Sequence, residues 1–276
     1  MALEFSKMHG IGNDFVIIDC RNAPLTLDTD AIRRLGDRHF GVGFDQLLTI
    51  EPATEESCAY AYGIWNADGS RSGQCGNGVR CVAAWLAREG VLGSGLVSLM
   101  SPSGPVRVER LADARVRVDM GEPRFEPAAL PLDAPRERDR YSIDVLGRSI
   151  EIGAVSMGNP HAVLEVPDIA AAPVRVLGPQ IEHASAFPRG CNVGFARILS
   201  ESEIELRVWE RGVGETLACG SGACAAVAVL RQRDQIGDEV VVRLPGGVLE
   251  IQWQGRGHSL WMTGPATFAF EGVWHE

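Results

Sequence analysis

WNADGSRSGQCGNGVRCVAAWLAR, residues 65–88, reads as a loop, a cysteine, a Gly-x-Gly step and an apolar helix. The chain repeats this order at residues 209–232, WERGVGETLACGSGACAAVAVLRQ. Trp65 precedes Cys75, and Trp209 precedes Cys219, by the same ten residues. Gly76-Asn77-Gly78 follows the first cysteine and Gly220-Ser221-Gly222 the second, each leading into an alanine-rich run. The two copies stand 144 residues apart, about half of the 276-residue chain. A duplicated cysteine at a helix start predicts a two-fold site with one thiol from each half.

Other echoes keep the same order. Gly12-Asn13 recurs as Gly158-Asn159, Gln46 as Asn192, and Gly93 as Gly237. A repeat can signify two structural units and no more. Here, though, the echoed positions are Asn, Gln and Cys in glycine turns rather than core residues, which ties the duplication to function.

Between these anchors the pattern is mostly strand. LEFSKMHGIGNDFVIID reads as strand, glycine turn and strand, with β-branched FVIID the more buried. Thr29-Asp30 is expected to cap a helix from Ala31 to Arg38. SCAYAYGIW feeds the first cysteine loop, and VSLMSPSGPVRVERL with ARVRVDM alternates as hairpin strands. The proline-rich, charged stretch 122–140 is the best linker candidate, after which strands resume from Tyr141. A loop and short helix are expected at 168–183, the second cysteine helix at 221–233, and a short tail at the end.

Composition narrows the function. The chain is 45% hydrophobic and 22% charged, as globular domains are. Its net charge of −10 disfavours nucleic acid as a partner. No apolar run suggests a membrane span, and MALEFSKMHG is unlike a signal peptide. Seven cysteines without a CxxC pair point to reduced thiols and a cytoplasmic location. Lys7 is the only lysine and follows no phosphate-binding loop, so it suits neither a pyridoxal Schiff base nor a P-loop. Cysteine spacings of five and six do not fit structural zinc, so no metal is expected.

A helix N-terminus favours the thiolate of a cysteine placed there, and the following glycines let backbone N–H groups converge on an anion. Two such helices would make a carboxylate cradle with a thiol on each side. Inverting an amino-acid α-carbon needs that pairing: a base on one face and an acid on the other. Cys81 and Cys224, set among alanines, read as buried packing residues. His161, in an echoed turn, is a candidate supporting residue. Glu210-Arg211 stands where the first half has Asn66-Ala67, an acid–base pair suited to reading an ammonium and a carboxylate together. Two rivals come from other classes. Gly220 to Ala225 fits the dinucleotide fingerprint G-x-G-x-x-A, but the elements that follow look like hairpins. The cysteine pair could also serve thiol redox chemistry.

Taken together, KMHGIGNDF (7–15), DGS with CGNGVRC (68–81), GNPH (158–161), CNVGF (191–195) and ERGVGETLACGSG (210–222) closely resemble the diaminopimelate epimerase family, over essentially the whole chain. The resemblance implies cofactor-independent interconversion of LL- and meso-diaminopimelate in the lysine and peptidoglycan pathway. It implies an α+β fold of two pseudo-symmetric domains, each an antiparallel barrel-like sheet wrapped around a central helix. The expected domains are residues 1–120, with the tail 266–276 packing back on them, and 121–265. By the same resemblance Cys75 and Cys219 are the acid–base pair. Asn13, Gln46, Asn66, Asn159, Asn192, Glu210 and Arg211 surround the substrate. Backbone N–H groups of Gly76, Asn77, Gly220 and Ser221 hold the reacting carboxylate. Gly194, Phe44 and Ser221 depart from the commonest family pattern, and none removes a named group. Proline racemases share the paired-thiol logic, but there the first cysteine is typically followed by Gly-His rather than Gly76-Asn77. The expected partner is the small-molecule substrate, with a homodimer as the assembly to test.

Overall fold

The computed structural model describes residues 2–275. The chain divides into two compact units. One holds the residues up to Asp119 together with the segment from Thr263 on, and the other is continuous from Met120 to Met262.

In the first unit β1 (Ala2–Gly10) turns through Ile11-Gly12 into antiparallel β2 (Asn13–Asp19). Gly12 makes that turn at φ +92°, where an L side chain is strained. A crossover containing α1 (Thr29–Gly36) reaches β3 (Gln46–Pro52), parallel to β2. β4 (Tyr60–Asn66) returns antiparallel to β3. α2 (Gly76–Arg88) crosses to β5 (Leu96–Ser101), parallel to β4, and β6 (Gly104–Arg110) and β7 (Val116–Asp119) follow as a meander. Every residue of α2 from Asn77 to Leu86 is buried. A helix buried on every face must be enclosed, and here strands of its own unit pack around it.

The second unit repeats the plan. β8 (Tyr141–Val145) pairs with β9 (Arg148–Ser156), which turns at Gly158, φ +90°, into β10 (Pro160–Glu165). A crossover with α3 (Val174–Glu182) leads to β11 (Asn192–Ser200), parallel to β10. β12 (Glu203–Glu210) returns antiparallel, and the short β13 (Gly214–Thr216) folds onto its end. α4 (Gly220–Gln232) then crosses to β14 (Glu239–Leu244), parallel to β12, followed by β15 (Gly247–Gln252) and β16 (Trp261–Gly264). α4 lies tight on β9: a Cβ at Gly153 would stand 2.3 Å from Val229 Cγ1. The last strand, β17 (Thr267–His275), pairs antiparallel with β1. It thus stands to β1 as β8 stands to β9, so the first repeat is completed by the end of the chain.

Each unit has its own core. Phe5, Val16, Ile18, Leu35, Phe44 and Leu47 cluster in the first. Ile152, Ala154, Leu164, Ile181, Val193 and Phe195 belong to that of the second. Full burial of such a side chain is worth roughly 1.5–3 kcal/mol.

The architecture is the expected α+β duplication, with one refinement: the sheets are mixed rather than purely antiparallel. Parallel neighbours need a long crossover, and the four helix-containing connections supply two per unit. Alternation in a sequence carries no strand direction. Three local expectations change. The first helix spans Thr29–Gly36 and its cap is Asp28, whose Oδ1 accepts the Ala31 N–H at 2.8 Å. The 122–140 stretch is no loose linker: Leu130 and Leu132 enter the second core, and Phe125 stacks on Trp253. The short tail is a nine-residue strand.

Candidate functional site

In both units the echoed polar residues gather at one end of the sheet. Asn13 opens β2 and Gln46 opens the parallel β3. Asn66 ends β4 directly opposite Gln46, and their side chains bond, Nε2 donating to Asn66 Oδ1 at 3.0 Å. Asn66 Nδ2 in turn donates to Ser70 Oγ at 3.0 Å. The matching places in the second unit are Asn159 before β10, Asn192 opening β11 opposite His161, and Glu210 ending β12.

Cys75 is the N-cap residue of α2, in extended backbone, and its sulfur accepts the Gly78 N–H at 3.4 Å. First-turn amides of a helix have no intrahelical acceptor. At Cys75 one of them is turned onto the sulfur, while Gly76 and Asn77 supply two more donors to the same helix end. On its other side the sulfur lies 3.7 Å from Asn13 Oδ1, which also accepts from Asn77 Nδ2 at 3.1 Å. Asn13 Nδ2 donates to Asp45 Oδ2 at 2.8 Å. Arg38 holds Asp45 at 2.8 Å and is paired with Asp14, whose carboxyl falls to about 2 under hydrogen bonds from Arg38 and Lys7 that outweigh its burial. The single lysine is therefore spent on this ion cluster.

Cys219 caps α4 in the same extended geometry but in a different environment. It is buried where Cys75 is half-buried, and its sulfur lies 3.7 Å from Ser221 Oγ. Burial pushes its thiol well above its ordinary value, and the Glu210 carboxylate pushes it the same way. The helix N-terminus expected to favour a thiolate is outweighed here by desolvation. Cys219 thus rests as a thiol. Glu210 Oε1 accepts from Thr216 Oγ1 at 2.5 Å.

Asn159 Oδ1 is 2.9 Å from His161 Nε2. His161 is fully buried and held neutral, its pKa lowered to about 3 by burial and by the Arg211 charge. The ring thus stands neutral beside the Asn159 amide. Arg211 donates its backbone N–H to Asn192 Oδ1 at 3.0 Å, and its guanidinium reaches Arg189 O at 3.1 Å. Gly190, at φ +69°, leaves the space that side chain crosses: a Cβ there would stand 3.1 Å from Arg211 Cδ. Gly220 is buried and Ser221 half-buried in the first turn of α4.

The described residues include no cluster of three or more His, Cys, Asp or Glu able to hold a metal ion. No helix among them is long and apolar enough to cross a membrane. Cys81 and Cys224 are fully buried inside the helices, as their alanine-rich surroundings predict.

Comparison with known proteins decides among the readings. The diaminopimelate epimerase family's sequence model matches residues 5–126 and 153–269. The chain belongs to the diaminopimelate epimerase family. It is 52% identical over 275 residues to the diaminopimelate epimerase of Xanthomonas campestris pv. campestris, covering 99% of this chain and 97% of that one. Identity to the diaminopimelate epimerase of Xanthomonas axonopodis pv. citri is also 52%, over 99% and 96% of the two chains. Solved structures of the same fold include a hydroxyproline epimerase from Agrobacterium vitis, TM-score 0.68 at 16% identity, covering 99% of this chain and 92% of that one. A PhzF-family phenazine biosynthesis protein from Bacillus anthracis reaches 0.70 at 14%, over the full length of both. Membership makes the chain an amino-acid isomerase, and the nicotinamide and redox readings fall away.

Several residues bonded into these clusters carry no signal in the repeat. Asp45, Arg38 and Arg80 have no echo in the second half, and Glu182 lies in the short-helix region. Glu182 is nonetheless buried and takes the Trp209 indole N–H at 2.7 Å and the Gly212 N–H at 2.8 Å, bracketing Glu210 and Arg211.

Proposed function

We propose that the chain epimerises LL-2,6-diaminopimelate to meso-diaminopimelate, in lysine and peptidoglycan precursor biosynthesis, by acid–base chemistry at Cys75 and Cys219. The observation that carries this reading is the duplicated cysteine N-cap in two unlike settings. Cys75 is half-buried against an amide, and Cys219 is buried against a carboxylate. A thiol holds one proton, so inversion needs one sulfur to remove the α-proton and the other to return a proton to the opposite face. With Cys219 resting as the acid, Cys75 is the resting base. First-turn amides at Gly76, Asn77, Gly220 and Ser221 hold the reacting carboxylate and the enediolate charge that grows on it, which is electrostatic catalysis by pre-set donors. Asn13, Gln46, Asn66, Asn159 and Asn192 orient the ligand, with His161 behind Asn159. Glu210 and Arg211, which the first half does not duplicate, take the distal ammonium and carboxylate.

No group beyond the two thiols is needed for the proton transfers. We place the enzyme in the cytoplasm and take a homodimer as its assembly. The test is chiral analysis of LL-diaminopimelate and of L-proline after incubation with the protein. Conversion of the first alone is expected; turnover of proline alone would move the chain to the racemase reading.

A further inference from the structure

Arg80 is an arginine with no exposed surface, inside α2 and one turn beyond Asn77, and it has no role in the reaction as described above. Where the chain repeats itself the corresponding residue is Cys224, so nothing in the duplication asks for a cation here. Burying a guanidinium is costly unless its donors are used. Arg80 Nη1 donates to Asn77 Oδ1 at 3.0 Å, and Nε reaches Pro265 O at 3.3 Å. Gly10 gives it room: a Cβ there would stand 2.8 Å from Nη2.

The bonds continue outward in one direction. Asn77 Nδ2 donates to Asn13 Oδ1, and Asn13 Nδ2 donates to Asp45 Oδ2. Asp45 is itself fixed, accepting the Asp14 N–H at 3.1 Å and pairing with Arg38. A carboxamide is polar and can face either way, because each end can serve a suitable partner. A guanidinium only donates and a carboxylate only accepts. A chain of two amides running from one to the other has a single polarity. That polarity turns the Asn13 oxygen, not its NH2, toward the Cys75 sulfur.

We propose that Arg80 is a positioning residue for Cys75: with Asp45 it fixes the direction of the Asn77–Asn13 bond chain, so that Cys75 always faces an acceptor. An acceptor holds the S–H in place once Cys75 has taken a proton, while the Gly78 N–H on the other side supports the thiolate that takes it. In the second unit the corresponding Asn159 Oδ1 is met by neutral His161 instead. The functional weight of this rests on Cys75 being one of the acid–base pair.

The experiment compares Arg80→Met, Arg80→Lys and Asp45→Asn with the parent enzyme. It reads kcat and KM for diaminopimelate, and the pH profile of Cys75 alkylation by iodoacetamide, followed on the Cys75 peptide by mass spectrometry. In Arg80→Met the alkylation midpoint should be displaced by about half a pH unit or more. Its kcat should fall about tenfold or more with KM nearly unchanged, as expected for a misaligned group. Arg80→Lys keeps charge and donor-only character and should restore much of both. Asp45→Asn, at the exposed end of the chain, should shift the profile without loss of fold, which covers failure of Arg80→Met to fold. An unchanged Cys75 profile in folded Arg80→Met or in Asp45→Asn overturns the proposal, as does equal damage from Lys and Met. Alkylation needs no turnover, so a displaced profile with unchanged kcat supports the positioning role and counts instead against Cys75 as a catalytic residue.

Discussion

The Asn192 side-chain oxygen accepts the backbone N–H of Arg211 at 3.0 Å. Asn192 Nδ2 meanwhile donates to Pro160 O at 3.2 Å, so one amide ties the start of β11 to the first residue of β10 and to the Glu210-Arg211 loop. An echoed residue thereby sets the position of the pair that is not echoed. If Arg211 takes the distal carboxylate, Arg211→Met leaves a charge unpaired, at a cost of roughly 2–5 kcal/mol. At 1.4 kcal/mol per decade, kcat/KM for diaminopimelate should fall about 30-fold or more. Arg211→Lys should recover only part, because an ammonium lacks the two-pronged fork. Steady-state kinetics on the folded variants check this; an unchanged kcat/KM in Arg211→Met would refute the assignment.

Glu182 holds the same loop from the other side through Trp209 and Gly212. Glutamine has one acceptor where glutamate has two, so Glu182→Gln sets an NH2 against one of these donors. The cost is about 1–3 kcal/mol for a buried donor without an acceptor. Thermal unfolding should show the lost stability, and KM should rise more than kcat falls. Equal stability and equal KM would remove Glu182 from the account of the loop.

His161 gives the protein an acid sensitivity whose sign is fixed. Its folded pKa, about 3, lies below the ordinary 6.5, so below that value the unfolded chain binds a proton the folded chain refuses. Stability present at neutral pH is therefore lost as pH falls from about 6.5 toward 3. Between pH 6.5 and 5 this amounts to about 1.5 kcal/mol. Denaturant melts at those two values should show a smaller difference for His161→Gln than for the parent. An identical difference in both would place the titration elsewhere.

Burial and Glu210 together keep Cys219 protonated, while Cys75 is the more exposed sulfur. Iodoacetamide at pH 8 should therefore modify Cys75 before Cys219 in the ligand-free enzyme. Glu210→Gln removes the carboxylate and should raise the rate at Cys219. Peptide mapping over time reads both, and faster labelling of Cys219 in the parent would reverse the assignment of resting base and acid.

Much of this was open to reading because the chain states its plan twice. Cys75 and Cys219, Asn13 and Asn159, and Gln46 and Asn192 mark the same places in two copies of one sheet, and their spacing survives divergence around them. The strands beside them alternate plainly, but alternation says nothing of direction, so the parallel joins through α1, α2, α3 and α4 were hidden. β17 was hidden for another reason: six of its nine residues are exposed, and its pairing with β1 spans the length of the chain. Leu130 and Leu132 lay in a proline-rich stretch whose composition resembles a linker, and only tertiary packing shows them as core. Asp45 meets Asn13, Glu182 meets Trp209 and Gly212, and Arg80 meets Pro265 through hydrogen bonds between residues distant in sequence, a relation that no local spacing encodes. The resting proton on Cys219 was likewise out of reach, because it depends on how deeply a sulfur is buried.

The two-thiol mechanism is tested most directly by running LL-diaminopimelate in deuterated water and analysing both epimers at low conversion. A sulfur that keeps the abstracted proton on one face while the other delivers solvent deuterium gives a meso product deuterated at the inverted carbon. The unreacted LL pool should still carry hydrogen, and Cys75→Ala and Cys219→Ala should each lose at least about 10²-fold in epimerisation, the lower end for acid–base groups. A meso product that retains substrate hydrogen at that carbon, or an alanine variant that epimerises at near the parent rate, would contradict it.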